Sequence, residues 1–349
     1  MEVPGWLWAG LGLGLLVGAM LDLFWTTLWQ DGGAGPLTTR LGAGLWWLGR
    51  SALGKLAGVR LSLMGPFILL ATVMMWMTMF WLAWVFLLSA SPVLLAPAFG
   101  EDGVASWPER FYYVGSAFFT LGNGDYQTAG EFWQISSVLC AGSGMLMITL
   151  SISYVIAVLS AVVTRRRLAT QIFAIGSTPE QWVLNAWDGE SLSGSDGVLP
   201  AIAELLTEVT EQQLAYPVVH YYHADAPYKA MPMAVAMFDE GLTLIECGVE
   251  ESCRPGRLTM LLARNSVQRY LSTLREGWIS PEKPMPEFPN LGELRESGMA
   301  TLDEVFYEAQ VHQLERRRKM LRGAVEHDGW EWDDLGRVGR SVAGGGATE

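Results

Sequence analysis

Thr120-Leu121-Gly122-Asn123-Gly124-Asp125 lies between two long uncharged segments and directly follows a short stretch that reads as a helix. The bare string also suits an ordinary Gly-Asn-Gly turn, because Gly, Asn and Asp are common turn residues. Its surroundings favour a different reading. An extended L-chain points alternate carbonyls in opposite directions. Turning successive carbonyls toward one axis needs alternate residues in left-handed backbone conformations, which glycine adopts at little cost. Gly122 and Gly124 have that alternation.

No charged residue occurs in residues 61–100 or in residues 132–164. Crossing a bilayer core takes about 20 apolar helical residues, so each run holds a span. A third candidate, residues 5–29, is interrupted only by Asp22. A carboxylate inside a span is costly and marks either a functional site or a structural pairing. Here the expected partner is a base from the following loop.

Basic residues set the expected orientation. Residues 1–29 have none, whereas Arg40, Arg50, Lys55 and Arg60 follow in the next loop. Arg110 stands alone in residues 97–130, and the last span runs into Arg165-Arg166-Arg167. Three spans with the N-terminus outside and the C-terminus cytoplasmic satisfy this pattern. No basic n-region or A-x-A site marks a signal peptide. Residues 37–60 mix leucines at helical spacing with Arg40, Arg50 and Lys55, as in an amphipathic helix at the inner interface.

Ser106-Trp107-Pro108-Glu109 is a capping box with proline in the first turn. The helix it opens, residues 107–119, is about 20 Å long, too short to cross and ending at Thr120. A non-helical backbone at membrane depth must line a cavity or be buried in protein. The expected element is therefore a re-entrant helix and a loop whose carbonyls line an ion path. Asp125 would concentrate cations at the outer mouth. The last span carries many Ser and Thr, whose hydroxyls bond back to the helix or line water. Gly142 and Gly144, near its middle, read as a hinge or a close-packing point.

Residues 165–349 carry 18 basic and 28 acidic side chains, a balance of −10. That acidity argues against nucleic acid as a partner. Helical patterns cover residues 198–213, 230–246, 256–275 and 302–322, and Thr178-Pro179 opens another helix. Residues 281–289 hold four prolines and read as a linker; the tail from 323 reads as acidic and flexible. Arg316-Arg317-Arg318-Lys319 reads as a solvated helix face, or as a contact for an anionic leaflet. His220 and His223 have metal-ligand spacing but no third ligand in the pattern. Cys140, Cys247 and Cys253 have no zinc-type spacing. No catalytic constellation stands out, so no enzymatic role and no cofactor beyond a permeant cation is expected.

Residues 61–167 resemble the pore module of the potassium-channel superfamily: outer helix, pore helix, T-x-G-x-G-D filter and inner helix. They are most similar to the bacterial two-helix pore channels of the ion-channel-2 group, with one extra span in front. The resemblance rests on element order and on Thr120, Gly122, Gly124 and Asp125. It implies an all-α membrane protein assembled as a homotetramer, because one loop supplies one strand of a closed ring. It also implies filter residues Thr120, Leu121, Gly122, Asn123 and Gly124, with K+ as the permeant ion. Leu121 stands where the family has Val or Ile, and Asn123 where it has Tyr or Phe. The latter change leaves a weakly selective Na+/K+ channel as the alternative. A membrane-anchored sensor or scaffold with a degenerate pore is the reading from another class. The implied division is residues 1–30 first span, 31–60 interfacial segment, 61–167 pore module, 168–322 helical cytoplasmic domain and 323–349 tail. The partners are the lipid bilayer and further copies of the chain; the regulatory ligand is open.

Overall fold

The computed structural model describes residues 4–29, 33–53, 62–90, 95–97, 105–122, 125–128, 130–274 and 284–336. Its two compact units are built differently.

The first unit holds α1 (Gly5–Leu28), α2 (Pro36–Leu53), α3 (Met64–Leu88), β1 (Leu95–Pro97), α4 (Trp107–Phe118), β2 (Tyr126–Thr128) and α5 (Glu131–Phe173) as far as residue 159. Helices α1, α3 and α5 are each long and apolar enough to cross a membrane. The strands pair antiparallel, Leu95 with Thr128 and Pro97 with Tyr126. Within α5 the buried stripe is Cys140, Gly144, Met147, Ser151, Tyr154 and Val158. That spacing alternates four and three, the repeat of about 3.5 residues that keeps one seam facing its neighbours.

Asp22 is 1% exposed, and its partners among the described residues are an indole, a hydroxyl and backbone N–H groups rather than a base. Its carboxylate accepts the backbone N–H of Leu37 at 2.7 Å and the hydroxyl of Thr38 at 2.6 Å. It also accepts Nε1–H of Trp76 on α3 at 2.8 Å. The free N–H groups that open α2 are a favourable place for a negative charge. The carboxylate thus closes the α1–α2 turn and fastens it to α3. Gly35 is required here, since a Cβ would strike the Asp22 carboxylate. Residues 54–61, the end of the expected interfacial segment, lie outside the described residues.

Residues 215–221 also belong to this first unit. Tyr216 packs edge-on against Tyr154 of α5 at 6.2 Å, and Tyr221 lies against Trp46 of α2 at 5.7 Å. The expected assignment of residues 168–322 to one cytoplasmic domain is corrected at this segment. The boundary between the units also falls inside α5, at residue 160 rather than 168.

The second unit is helical: α6 (Pro179–Ala186), α7 (Val198–Ala215), α8 (Met231–Thr243), α9 (Arg257–Thr273), α10 (Gly292–Glu296), α11 (Glu304–Gln313) and α12 (Glu315–His327). Every residue of α8 is buried, so it is the axis around which the others pack. It runs into one wider π turn, Leu244–Gly248. The α6 cap is as expected, with Thr178 Oγ1 accepting the N–H of Gln181.

Three expectations are corrected in this unit. Residues 302–322 form two helices separated at Leu314. The tail reading fails for residues 323–336, because α12 continues to His327 and Leu335 is buried in the core; residues 337–349 lie outside the described residues. The proline-rich linker is built in where it is described, since Tyr307 donates to the Pro289 carbonyl and Arg318 to the Pro286 carbonyl.

The Arg316–Lys319 run is likewise no solvated face. Arg318 is fully buried and forks onto Glu240, with both bonds at 2.8 Å. Arg317 and Arg264 converge on the buried Asp239, at 2.7 and 2.8 Å. Burial works against an ionised Asp239, but the two guanidiniums outweigh it and hold the carboxyl below its usual range. Burial pushes Glu240 up, against the pull of Arg318.

Candidate functional site

The expected pore helix is α4, and its start follows the sequence reading. Ser106 and Glu109 form the reciprocal capping box, with Pro108 in the first turn. Glu109 also accepts the Tyr126 hydroxyl at 2.8 Å, which fixes β2 to this cap. Arg110, buried, donates to the carbonyls of Ala105 and Leu88 and joins α4 to the end of α3. The hydroxyls of Tyr113 and Ser137 are 2.7 Å apart, linking α4 to α5.

The end of α4 places the loop. Thr120 N–H donates to the Ala117 carbonyl at 3.0 Å and Leu121 N–H to the Ser116 carbonyl at 2.8 Å. This is a Schellman ending, in which a left-handed residue follows the helix and is usually glycine. Here that residue is Thr120, with φ +56°, the only non-glycine with positive φ among the described residues. A left-handed conformation costs an L-residue roughly 1–2 kcal/mol, and Thr is β-branched. Gly122 follows at φ +71°. Among the described residues of this loop the left-handed ones are Thr120 and Gly122, so Gly122 has the conformation expected of it. Asn123 and Gly124 lie outside the described residues.

Leu121, between the two, is 67% exposed. Asp125 accepts the Tyr112 hydroxyl at 2.9 Å, so its carboxylate is oriented from α4. The helix dipole places partial negative charge at the Thr120 end of α4. Thr120, Gly122 and the Asp125 carboxylate thus lie on the short stretch between α4 and β2.

Gly142 and Gly144 have different surroundings. A Cβ on Gly142 would meet nothing within 4 Å, whereas one on Gly144 would strike the Phe118 carbonyl oxygen. Gly144 is thus the point where α5 touches the end of α4. The helix passes both glycines without interruption. Gly142→Ala is expected to raise stability by up to about 1 kcal/mol, the helix-propensity difference. Gly144→Ala is expected to lower it, because a backbone carbonyl must move. Melting of the two purified variants in detergent checks this; equal midpoints would contradict the assignment.

The hydroxyls of α5 bond back to their own helix, as with Thr149 to Met145 and Ser153 to Thr149. Ser143 does so and also accepts Trp84 Nε1–H at 2.8 Å. His223 is taken up by Asp328, Nδ1 to Oδ1 at 2.9 Å. No group of three or more potential metal ligands occurs among the described residues. Local sequence pattern showed neither the particular partners of Asp22 nor the pairing of Arg317 and Arg318 with α8.

Three long apolar helices, one short capped helix between the second and third, and a helical C-terminal unit define a mostly helical membrane protein. The chain is 36% identical over 321 residues to the uncharacterized membrane protein YdjJ of Bacillus subtilis (strain 168), covering 92% of this chain and 94% of that one. It belongs to the YdjJ family. No protein-family model matches the sequence, and no solved structure matches it.

Proposed function

We propose that this protein is a homotetrameric cation channel that conducts potassium through a filter of backbone carbonyls at residues 120–124, with Asp125 at the outer mouth. The observation that carries this reading is the left-handed pair Thr120 and Gly122 at the end of the capped helix α4. A β-branched residue held in that region is strain of the kind that accumulates at functional sites. A plain helix stop would be served better by glycine. Spans on both sides and an exposed Leu121 also fit a loop that meets further copies of the chain.

In this reading the N-terminus is outside, the C-terminus is cytoplasmic, and the second unit regulates opening without conducting. Asn123 in place of an aromatic favours weak selection between K+ and Na+ as the second reading. The test is flux from proteoliposomes under opposed K+ and Na+ gradients. Parent protein should pass K+ faster, and Asp125→Asn should lower flux by weakening cation concentration at the mouth. The Asp125→Asn loss should shrink at high salt, where screening shortens the reach of the charge. Equal rates for both ions would select the weakly selective reading, and no flux above empty liposomes would end the channel assignment.

A further inference from the structure

The second unit contains a cavity of about 310 Å³ beside the C-terminal part of α5. Its walls include Arg165, Arg166 and Lys229 against two carboxylates, Asp225 and Asp328. The lining is therefore net positive in a half of the chain that is net negative. Both carboxylates are engaged. Asp328 faces His223, and Asp225 holds Lys229 at 3.1 Å. Arg166 reaches Asp225 only at 3.9 Å and is 61% exposed, so its guanidinium can turn to another acceptor at little cost. Tyr222 also lines the cavity, and its buried hydroxyl has no hydrogen-bond partner among the described residues. Burial pushes that phenol up to about 12, which keeps it a neutral donor.

We propose that this cavity binds a phosphate-bearing anion, carried by a small molecule or by a lipid headgroup. Two adjacent guanidiniums and an ammonium supply forked donors and more than one positive charge, which suit phosphate better than a single carboxylate. The volume lies at the small end of ligand pockets, about 300–1,000 Å³. A bound phosphate would join the end of α5 to the segment carrying Tyr222 and Lys229. The proposal does not depend on conduction, and its test reads binding alone.

The experiment is calorimetric titration of the full-length protein in an uncharged detergent. The probes are inorganic pyrophosphate and short-chain phosphatidic acid, with short-chain phosphatidylcholine as the control. Saturable binding is expected, weakened about tenfold by Arg166→Gln or by Lys229→Gln, as for one lost charge-assisted bond. Arg269→Gln, elsewhere on the exposed surface of this unit, should bind as the parent does. Saturation by pyrophosphate supports a free ligand, and saturation by phosphatidic acid alone supports a headgroup. No saturation by either probe, or equal losses in Arg166→Gln and Arg269→Gln, would overturn the site.

Discussion

Glu240→Gln should destabilise the second unit by about 3–5 kcal/mol, the usual cost of stranding one partner of a buried ion pair. The side chain of Arg318 is fully buried, and Glu240 supplies its two carboxylate bonds. With Gln in place the guanidinium keeps the carbonyls of Pro286 and Glu287, but no counter-charge. That loss is large against a total stability of about 5–15 kcal/mol. The measurement is the melting midpoint and protease resistance of purified protein. Removing both charges by Glu240→Leu with Arg318→Met should recover most of the loss, because well-packed apolar pairs often replace buried ion pairs without penalty. Glu315→Gln is the contrast. Its bond to Lys319 joins successive turns on the exposed face of α12, so its loss should leave the melting midpoint at the parent's value. A Glu240→Gln variant that melts with the parent would mean Arg318 finds compensation elsewhere.

What the sequence revealed, and what it hid, follows the range of each interaction. Charge-free runs give the spans, since a bilayer excludes charge along a continuous stretch. The Ser106–Glu109 box and the Thr178-Pro179 start are legible because a cap bonds three residues away. Arg317 and Arg318 were misread because their carboxylates lie 78 positions earlier. The one available signal was Asp239-Glu240, an acidic pair inside the otherwise apolar stretch of α8. Asp22 suggested a basic partner because charge is what a sequence displays. Its actual partners include main-chain N–H groups, which every non-proline residue carries and no sequence pattern distinguishes. The proline-rich segment looked like a linker for the converse reason. Proline lacks the N–H, but its carbonyl still accepts, and Arg318 and Tyr307 use it. In the loop after α4, Gly122 was legible as a left-handed position. Thr120 was not, because sequence preference places glycine there.

Gly122→Ala should abolish or scramble flux while leaving the protein in the membrane, and the geometry isolates the cause. A Cβ at Gly122 would meet nothing within 4 Å among the described residues, so the added methyl collides with none of them. What remains is the backbone penalty at φ +71°, about 1–2 kcal/mol in each chain. In the proposed ring the penalty recurs in every subunit, and any relaxation turns a carbonyl away from the axis. Thr120→Gly separates this from simple helix termination. Glycine relieves the strain at φ +56° and keeps the Schellman bonds, so stability should rise by about 1 kcal/mol. If Thr120 only ended α4, flux would be unchanged. If its hydroxyl and constrained backbone form the inner end of the filter, flux falls or loses ion preference while the melting midpoint rises. Opposite movements of stability and conduction are the expected result, read on one preparation by melting and by proteoliposome flux. Parent-like flux in both variants would reduce the loop to a helix stop and a turn.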